Sequence, residues 1–204
     1  MAKIAVVPER SWTLDDGAQL VLKAGAAYDD SNRTGSAVSP IFEVAREQAT
    51  AAAQRIYFSY AQSTQLPTYT ALDSNPAAGL FRGNPTAGRQ TARNFEVGAS
   101  GTVAGWTAQA AAFYRRDDAL VDWTFTRGVT ARSANAVDVA TTGIETVVRR
   151  SSRLADVVLG YTWLTKDPDY RGAAVDASFY ALNYARHRFT AALIVRLTSE
   201  LTLR

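Results

Sequence analysis

The chain has 204 residues, 47% of them hydrophobic and 20% charged, with a net charge of +3. It is neither disordered nor supercharged in composition, and its arginines are scattered among Asp and Glu rather than gathered into the basic patch of a nucleic-acid binder. With no cysteine and one histidine, His187, the chain excludes a disulfide framework and Cys-ligated zinc, and it argues against a His-rich metal centre or a Ser-His-Asp triad.

The opening stretch MAKIAVVPERSW carries one Lys and a four-residue apolar run ended by Pro8, which is not the pattern of a signal peptide. Nowhere is there an apolar run of about 18 residues, so no transmembrane helix is expected. A membrane β-barrel stays open, because each of its strands carries only a weak alternating signal.

Alternation recurs in chain order. Residues 19–28 place Leu20, Leu22, Ala24, Ala26 and Tyr28 on one face, against Gln19, Lys23 and Gly25. FEVAREQATAAA (42–53) is rich in helix formers, but Ile41 to Ala45 alternates, so it predicts a strand followed by an Ala-rich turn. In QRIYFSYAQ (54–62) the apolar residues are Ile56, Phe58 and Tyr60. Residues 94–99 set Phe95, Val97 and Ala99 against Asn94, Glu96 and Gly98. In 106–116, Trp106, Ala108, Ala110, Ala112 and Tyr114 oppose Thr107, Gln109 and Arg115. DVVLGYTWLT (156–165) and RFTAALIVRLT (188–198) repeat the pattern. A period of two is what strands impose.

The strands run to about 9–11 residues, the length that crosses a bilayer when tilted. Thr102 to Gly105, Ser151 to Ala155 and Thr198 to Glu200 are short connections, whereas 66–90 and 167–186 are long and rich in Pro, Gly, Asn, Asp and Tyr. Short turns at one end and long loops at the other suit an outer-membrane barrel. Tyr57, Tyr60, Phe113, Tyr114, Trp123, Phe125, Tyr161 and Trp163 lie near strand ends, where ring bodies with polar tips favour a membrane interface. The apolar faces mix Ala and Gly with Leu and Val, a smooth surface that lipid accepts more readily than a packed core does. A soluble β-sandwich with a wet outer face is the competing all-β reading.

Five ordered stretches carry a family resemblance. Gly83-Asn84-Pro85, followed by Asn94-Phe95-Glu96-Val97-Gly98, resembles the "GNPxLxPE…xxxELG" signature late in the barrel of TonB-dependent outer-membrane receptors. Thr86-Ala87 and Arg89-Gln90 depart from its middle. SYAQSTQLPTYTAL (59–72) resembles the family's "RAPS…EL" element. FYRRDDALVDWTF (113–125) is similar to "YRNDVxDLIDW". SANAVDVATTGIETVV (133–148) resembles "NxGxAxxxGxE", with Asn135, Gly143 and Glu145 in place. YALNYARHRFTAAL (180–193) resembles the late "xxPxHxxxxxL" element, with Ala185 where Pro is common.

The resemblance implies an all-β antiparallel up-and-down meander of about 9–10 strands, curved as a transmembrane β-barrel or part of one. The family's barrel has about 22 strands around an N-terminal plug. Residues 1–204 are therefore expected to be a single barrel segment, truncated at both ends relative to the family and without a plug domain. The implied function is an outer-membrane receptor and transporter for a scarce solute, siderophore- or corrinoid-like, energised by the TonB system, in a Gram-negative bacterium. A small passive barrel is the alternative within the membrane.

No enzyme activity, catalytic residue, metal site or cofactor is expected. The implied partners are outer-membrane lipid, a small-molecule ligand such as a metal chelate, and the TonB complex of the full-length receptor, with no nucleic acid. The ligand-binding candidates are the Arg and aromatic residues of the long loops: Tyr69, Phe81, Arg82, Arg89, Tyr170, Arg171, Tyr180, Tyr184 and Arg186. Arg and Tyr together suit an anionic, hydroxylated or aromatic ligand. Asp29-Asp30-Ser31-Asn32-Arg33-Thr34-Gly35 offers oxygen ligands at loop spacing but lacks the far-end Glu of a calcium loop, and it reads as a turn. Glu145 is expected as a structural carboxylate of the lumen, and His187 as a hydrogen-bonding residue at a loop-to-strand boundary.

Overall fold

The computed structural model describes residues 2–48, 52–171, 173–198 and 201–203. Its strands form one continuous sheet, not two facing ones. In chain order they are β1 (Ala2–Val6), β2 (Glu9–Thr13), β3 (Gln19–Ser31), β4 (Gly35–Gln48), β5 (Gln54–Gln65), β6 (Phe81–Arg82), β7 (Gln90–Val103), β8 (Trp106–Phe125), β9 (Arg132–Ser151), β10 (Ala155–Asp169), β11 (Ala177–Ser178), β12 (His187–Arg196) and β13 (Thr202–Leu203). Ten of them lie on one path, β1-β3-β4-β5-β7-β8-β9-β10-β12-β13. Consecutive long strands pair antiparallel, as an up-and-down meander requires. Among the described residues the two end strands of the path are not paired with each other.

β1 and β2 are two halves of one edge strand, both paired to β3 and broken at Val7-Pro8. Proline has no N–H for a ladder, and its place on an edge strand follows from that. The break pushes the chain toward β3, where a side chain at Gly25 would stand 2.1 Å from the Val6 carbonyl oxygen. Gly25 is required by this close approach of two backbones.

The two faces differ as the alternation predicts. Ile56, Val97, Leu193 and Phe189 stand on one face at 53–78% exposure. On the other, Ala27, Ala45, Ala111 and Thr141 are at most 8% exposed. Such enclosure of a row of small residues suits the inner side of a curved sheet, where neighbouring side chains converge. Phe95 and Val97 are on the exposed outer face, while Glu96 turns inward to meet Tyr57.

On the outer face, across β4, β5, β7 and β8, Phe42, Tyr60, Phe95 and Tyr114 fall in one register row. The Tyr60 and Phe95 rings are 4.8 Å apart, and Phe95 and Tyr114 are 6.5 Å apart. Farther along the strands the same face turns ionic: Arg93 and Arg116 both meet Asp118. This order, apolar wall then rings then charges, is that of a surface passing from hydrocarbon to headgroups. Tyr57 and Phe113 do not join the row. They lie on the inner face, over Gly98 and Gly143.

The inner face carries the mid-strand cations. Lys23 bridges Glu9 and Glu43 at 3.5 and 3.2 Å, and Arg55 bridges Glu43 and Glu47 at 2.8 and 3.0 Å. On an enclosed face, charges are tolerated when paired in this way.

The short connections gather at one end: 14–18, Ala104-Gly105, Ser152 to Leu154 and the turn after β12. Only Thr198 of the predicted Thr198 to Glu200 turn, and Ala52 and Ala53 of the Ala-rich one, lie among the described residues. The opposite end holds the long loops and one tight exception, the Asn32 to Thr34 turn. Two short helices, α1 (Tyr69–Asp73) and α2 (Phe179–Leu182), sit in the long loops. Alternation does not predict them; each is started by a hydroxyl, Thr68 and Ser178, accepting an N–H from its first turn. β8 and β9, at 20 residues each, are longer than expected and project past their neighbours.

Candidate functional site

The projecting β8–β9 ribbon begins at a bulge. Asp118 and Ala119 together face Asp138, with Ala119 at φ +56° and its N–H donating to Asp138 Oδ1 at 2.8 Å. Both neighbours stop at this level: β7 ends opposite Asp118 and β10 opposite Asp138. Past it the ribbon's edges would be bare, and unpaired edges are a liability.

The long loops cover those edges in crossed order. β6, from the β5–β7 loop, pairs parallel with the free edge of β9, on the side that β10 occupied. β11, from the β10–β12 loop, pairs with the free edge of β8, on the side that β7 occupied. Ser178, Thr124, Ser133 and Arg82 thus form one row across β11, β8, β9 and β6. Thr124 Oγ1 donates to the Ser133 carbonyl and accepts from Asn135 Nδ2 at 2.7 Å.

Each loop has further anchors. In the first, Gly83 N–H donates to Ser74 O at 3.1 Å and Asn84 N–H to Ala71 O at 2.7 Å, laying the Gly-Asn-Pro turn against α1. A Cβ on Gly83 would stand 2.6 Å from Ser74 O, so the motif's glycine is required by contact. Asn84 Oδ1 accepts from the Thr86 N–H at 3.0 Å, and Arg33 reaches across to the Pro85 and Ala87 carbonyls. In the second loop, Tyr180 N–H donates to Asp122 Oδ2 at 2.5 Å. Lys166 Nζ donates to Tyr180 O at 2.8 Å and lies 3.5 Å from the Tyr180 ring centroid and 5.2 Å from that of Tyr184.

The nine candidates separate by placement. Arg89 is nearly enclosed and ion-paired with Asp29, whose side chain is fully buried; it also donates to Thr64 Oγ1 at 3.2 Å. Arg171 donates through Nε to Asp138 Oδ1 at 2.8 Å. The Tyr69 hydroxyl donates to Asp73, which pushes that phenol above its ordinary value. The Lys166 N–H donates to the Tyr184 hydroxyl oxygen at 3.3 Å and holds that phenol below it. Arg82 is half-buried in β6, its Nε without a hydrogen-bond partner among the described residues. Tyr170 is half-buried, and Arg186 is exposed, its carbonyl accepting the Leu164 N–H at 3.0 Å. His187 opens β12, with Nδ1 3.0 Å from the Tyr161 hydroxyl.

Phe81 meets residues that were not among the candidates. Its ring stands edge-on to Trp123 at 5.0 Å, in a pocket of about 630 Å³ shared with Phe125, Arg132, Phe179, Leu182 and Asn183. Trp123 and Phe125 show in sequence only as aromatics near a strand end. That Arg132, Phe179 and Leu182 join them follows from the loop crossing, which no local pattern announces.

Residues 6–199 match the family described as TonB dependent receptor-like, beta-barrel. No curated protein matches the chain in sequence. Among solved structures it is similar to the siderophore receptor PirA from Pseudomonas aeruginosa, with a TM-score of 0.66 and 17% identity over 98% of this chain and 35% of that one. The FrpB iron transporter from Neisseria meningitidis (F3-3 variant) gives 0.61 and 18%, over 97% of this chain and 31% of that one. The ferripyoverdine receptor of the outer membrane of Pseudomonas aeruginosa gives 0.64 and 12%, over 98% of this chain and 26% of that one. The chain thus spans between about a quarter and a third of the length of these proteins, and at such identities the likeness is one of fold. With nearly its whole length inside the family's barrel, the chain belongs to the TonB-dependent receptor β-barrel family.

Proposed function

We propose that this chain forms part of the barrel of a Gram-negative outer-membrane receptor, which captures a scarce solute at its long-loop rim and passes it inward with energy from the TonB complex. It acts by binding and transport, not by catalysis. The carrying observation is family membership across residues 6–199, joined to a sheet whose outer face is apolar and ends in a row of aromatic rings. That surface suits lipid, and the loops at its ionic end suit capture from outside.

Of the loop candidates, Phe81, Tyr180, Tyr184 and Arg186 are the ones we place nearest the solute, with Tyr69, Arg82 and Tyr170 around them. Arg89 and Arg171 hold the rim together through Asp29 and Asp138. A siderophore- or corrinoid-like solute fits the mixture of rings and cations.

The test is fractionation of iron-limited cells expressing the protein, with solute uptake compared with and without the TonB complex. A heat-modifiable band in the outer membrane and TonB-dependent uptake support the reading. Recovery as a soluble monomer without detergent overturns it.

A further inference from the structure

The short-turn end of the outer face carries cations without a counter-ion. Trp106 opens β8 beside the Ala104-Gly105 turn, and its register partner on β9 is Arg150. The Arg150 guanidinium carbon lies 5.4 Å from the centre of the Trp106 ring. Arg153 stands exposed in the turn that follows β9. Among the described residues neither arginine forms an ion pair. Three carboxylates of this end are engaged elsewhere, Asp16 by Arg46, Glu47 by Arg55 and Asp156 by Arg196. A tryptophan at a boundary with an arginine over its ring suits the level where hydrocarbon gives way to headgroups.

A trough leads away from this pair along β8. On the outer face β8 presents Trp106, Ala108, Ala110 and Ala112 in succession. Ala110 and Ala112 floor a depression of about 320 Å³, rimmed by Ile56 and Val97 on one side and Ile144 on the other. The three rim side chains are 47–59% exposed. The hollow ends below the row of Tyr60, Phe95 and Tyr114 rings, and through Ala108 it runs down to Trp106 and Arg150. An amphiphile with a flexible apolar chain and an anionic head fits both parts. A bare anion leaves the trough unused, and a neutral chain leaves the arginines unmet. A second copy inserted in the same direction would bring its own arginines to the same level, and like charges oppose that contact.

We propose that this boundary binds an anionic phospholipid of the leaflet on the short-turn side. Its phosphate is held by the fork of Arg150 with Arg153 alongside, and one acyl chain lies in the trough over β8. The inference rests on the reading of the outer face as a lipid-facing wall, and deepens it by naming the class of lipid. Each arginine near a membrane surface favours an anionic lipid by about fivefold.

The experiment uses the full chain in mild detergent, adds phosphatidylglycerol or phosphatidylcholine of identical acyl chains, and reads the bound lipid from the intact mass of the complex. Phosphatidylglycerol should bind at least about fivefold tighter. Arg150→Gln should cost about fivefold in phosphatidylglycerol affinity, with little change for phosphatidylcholine, whose choline offsets its phosphate. Arg150→Lys should recover part of that loss. Ala110→Phe, which fills the trough, should weaken both lipids alike. Arg116→Gln, on the outer face at the opposite boundary and already met by Asp118, controls for charge alone and should leave the preference intact. Equal affinity for the two lipids, a preference undiminished by Arg150→Gln, indifference to Ala110→Phe, or an equal loss in Arg116→Gln overturns the proposal. TonB-dependent uptake in cells, measured separately, would survive any of these results, so the two readings fail independently.

Discussion

The Tyr57 ring lies over Gly98, so close that a Cβ on that glycine would stand 2.5 Å from the ring. The two residues are register partners on β5 and β7, and the ring leans over the glycine until its hydroxyl donates to Glu96 at 2.5 Å. Gly98→Val should displace the ring and break that bond, costing about 1–3 kcal/mol of stability. In a Tyr57→Ala background most of the penalty should vanish, and a double-mutant cycle by urea unfolding in micelles would read it. Equal penalties in both backgrounds would mean the ring is not the obstacle.

Gly25 poses a harder constraint, because the atom facing it is backbone, not a movable ring end. Gly25→Ala should drive β1 and β2 away from β3 and raise hydrogen exchange along residues 2–13. Gly101→Ala is the control, since a Cβ there meets only ordinary contacts at 3.5 Å. If the two substitutions behave alike, the close approach at Val6 is not what selects glycine.

The Asp29–Arg89 pair joins the β3–β4 hairpin to the end of the first long loop. Removing one partner of an enclosed pair leaves the other charge uncompensated, so Arg89→Ala should cost about 3–5 kcal/mol. Arg89→Lys should recover only part of this, because one ammonium cannot serve Asp29, Thr64 and the Gly35 carbonyl in the same fork. Denaturation midpoints and protease cutting within 66–89 would both report the change. A fully rescued Lys variant would show that charge alone suffices.

At the opposite end, Asp16 accepts from the Ala18 N–H at 3.0 Å and pairs with Arg46. The backbone bond first, and then the arginine, hold its carboxyl below the usual range. A group whose folded value is lowered contributes stability above the ordinary carboxylate range and loses it as pH falls through the folded value. Unfolding of the wild type should therefore become easier as the medium is acidified below about pH 4. Asp16→Asn should flatten that part of the profile; identical acid limbs would remove Asp16 from the explanation.

α2 hangs on Asp122. Asp122→Ala should free the Tyr180 N–H and raise hydrogen exchange across 176–183, with β8 below the bulge unchanged. Loss of this bond to a charged acceptor costs about 1.5–3 kcal/mol locally. Unaltered exchange in α2 would show that Lys166 and β11 hold it unaided.

The faces of the strands were legible because the two sides of a curved sheet make opposite demands on alternate residues, and Phe95-Glu96-Val97 shows both demands in three positions. Tyr57 and Phe113 were harder to place. Their ring chemistry suits an interface, but inward-facing Gly98 and Gly143 leave room for them, and that match is visible only once the register is known. The bulge at Asp118-Ala119 has no glycine to announce it, so alternation alone does not show that β8 and β9 run on through it. Arg89 and Arg171 meet Asp29 and Asp138, and sequence cannot show which carboxylate an arginine will meet. The pocket lay out of reach for the same reason: its walls are neighbours only after two loops trade sides.

That exchange of sides also sets an order of construction. A two-residue strand such as β6 or β11 has no stability of its own and can form only against an edge already in place. The β8–β9 ribbon must therefore be laid down first, and the rim is completed last, by two clasps that each reach over the ribbon from the far flank. Shortening either loop would leave one flank of the ribbon unclasped while the wall below stood intact, so the rim can be remodelled without rebuilding the wall.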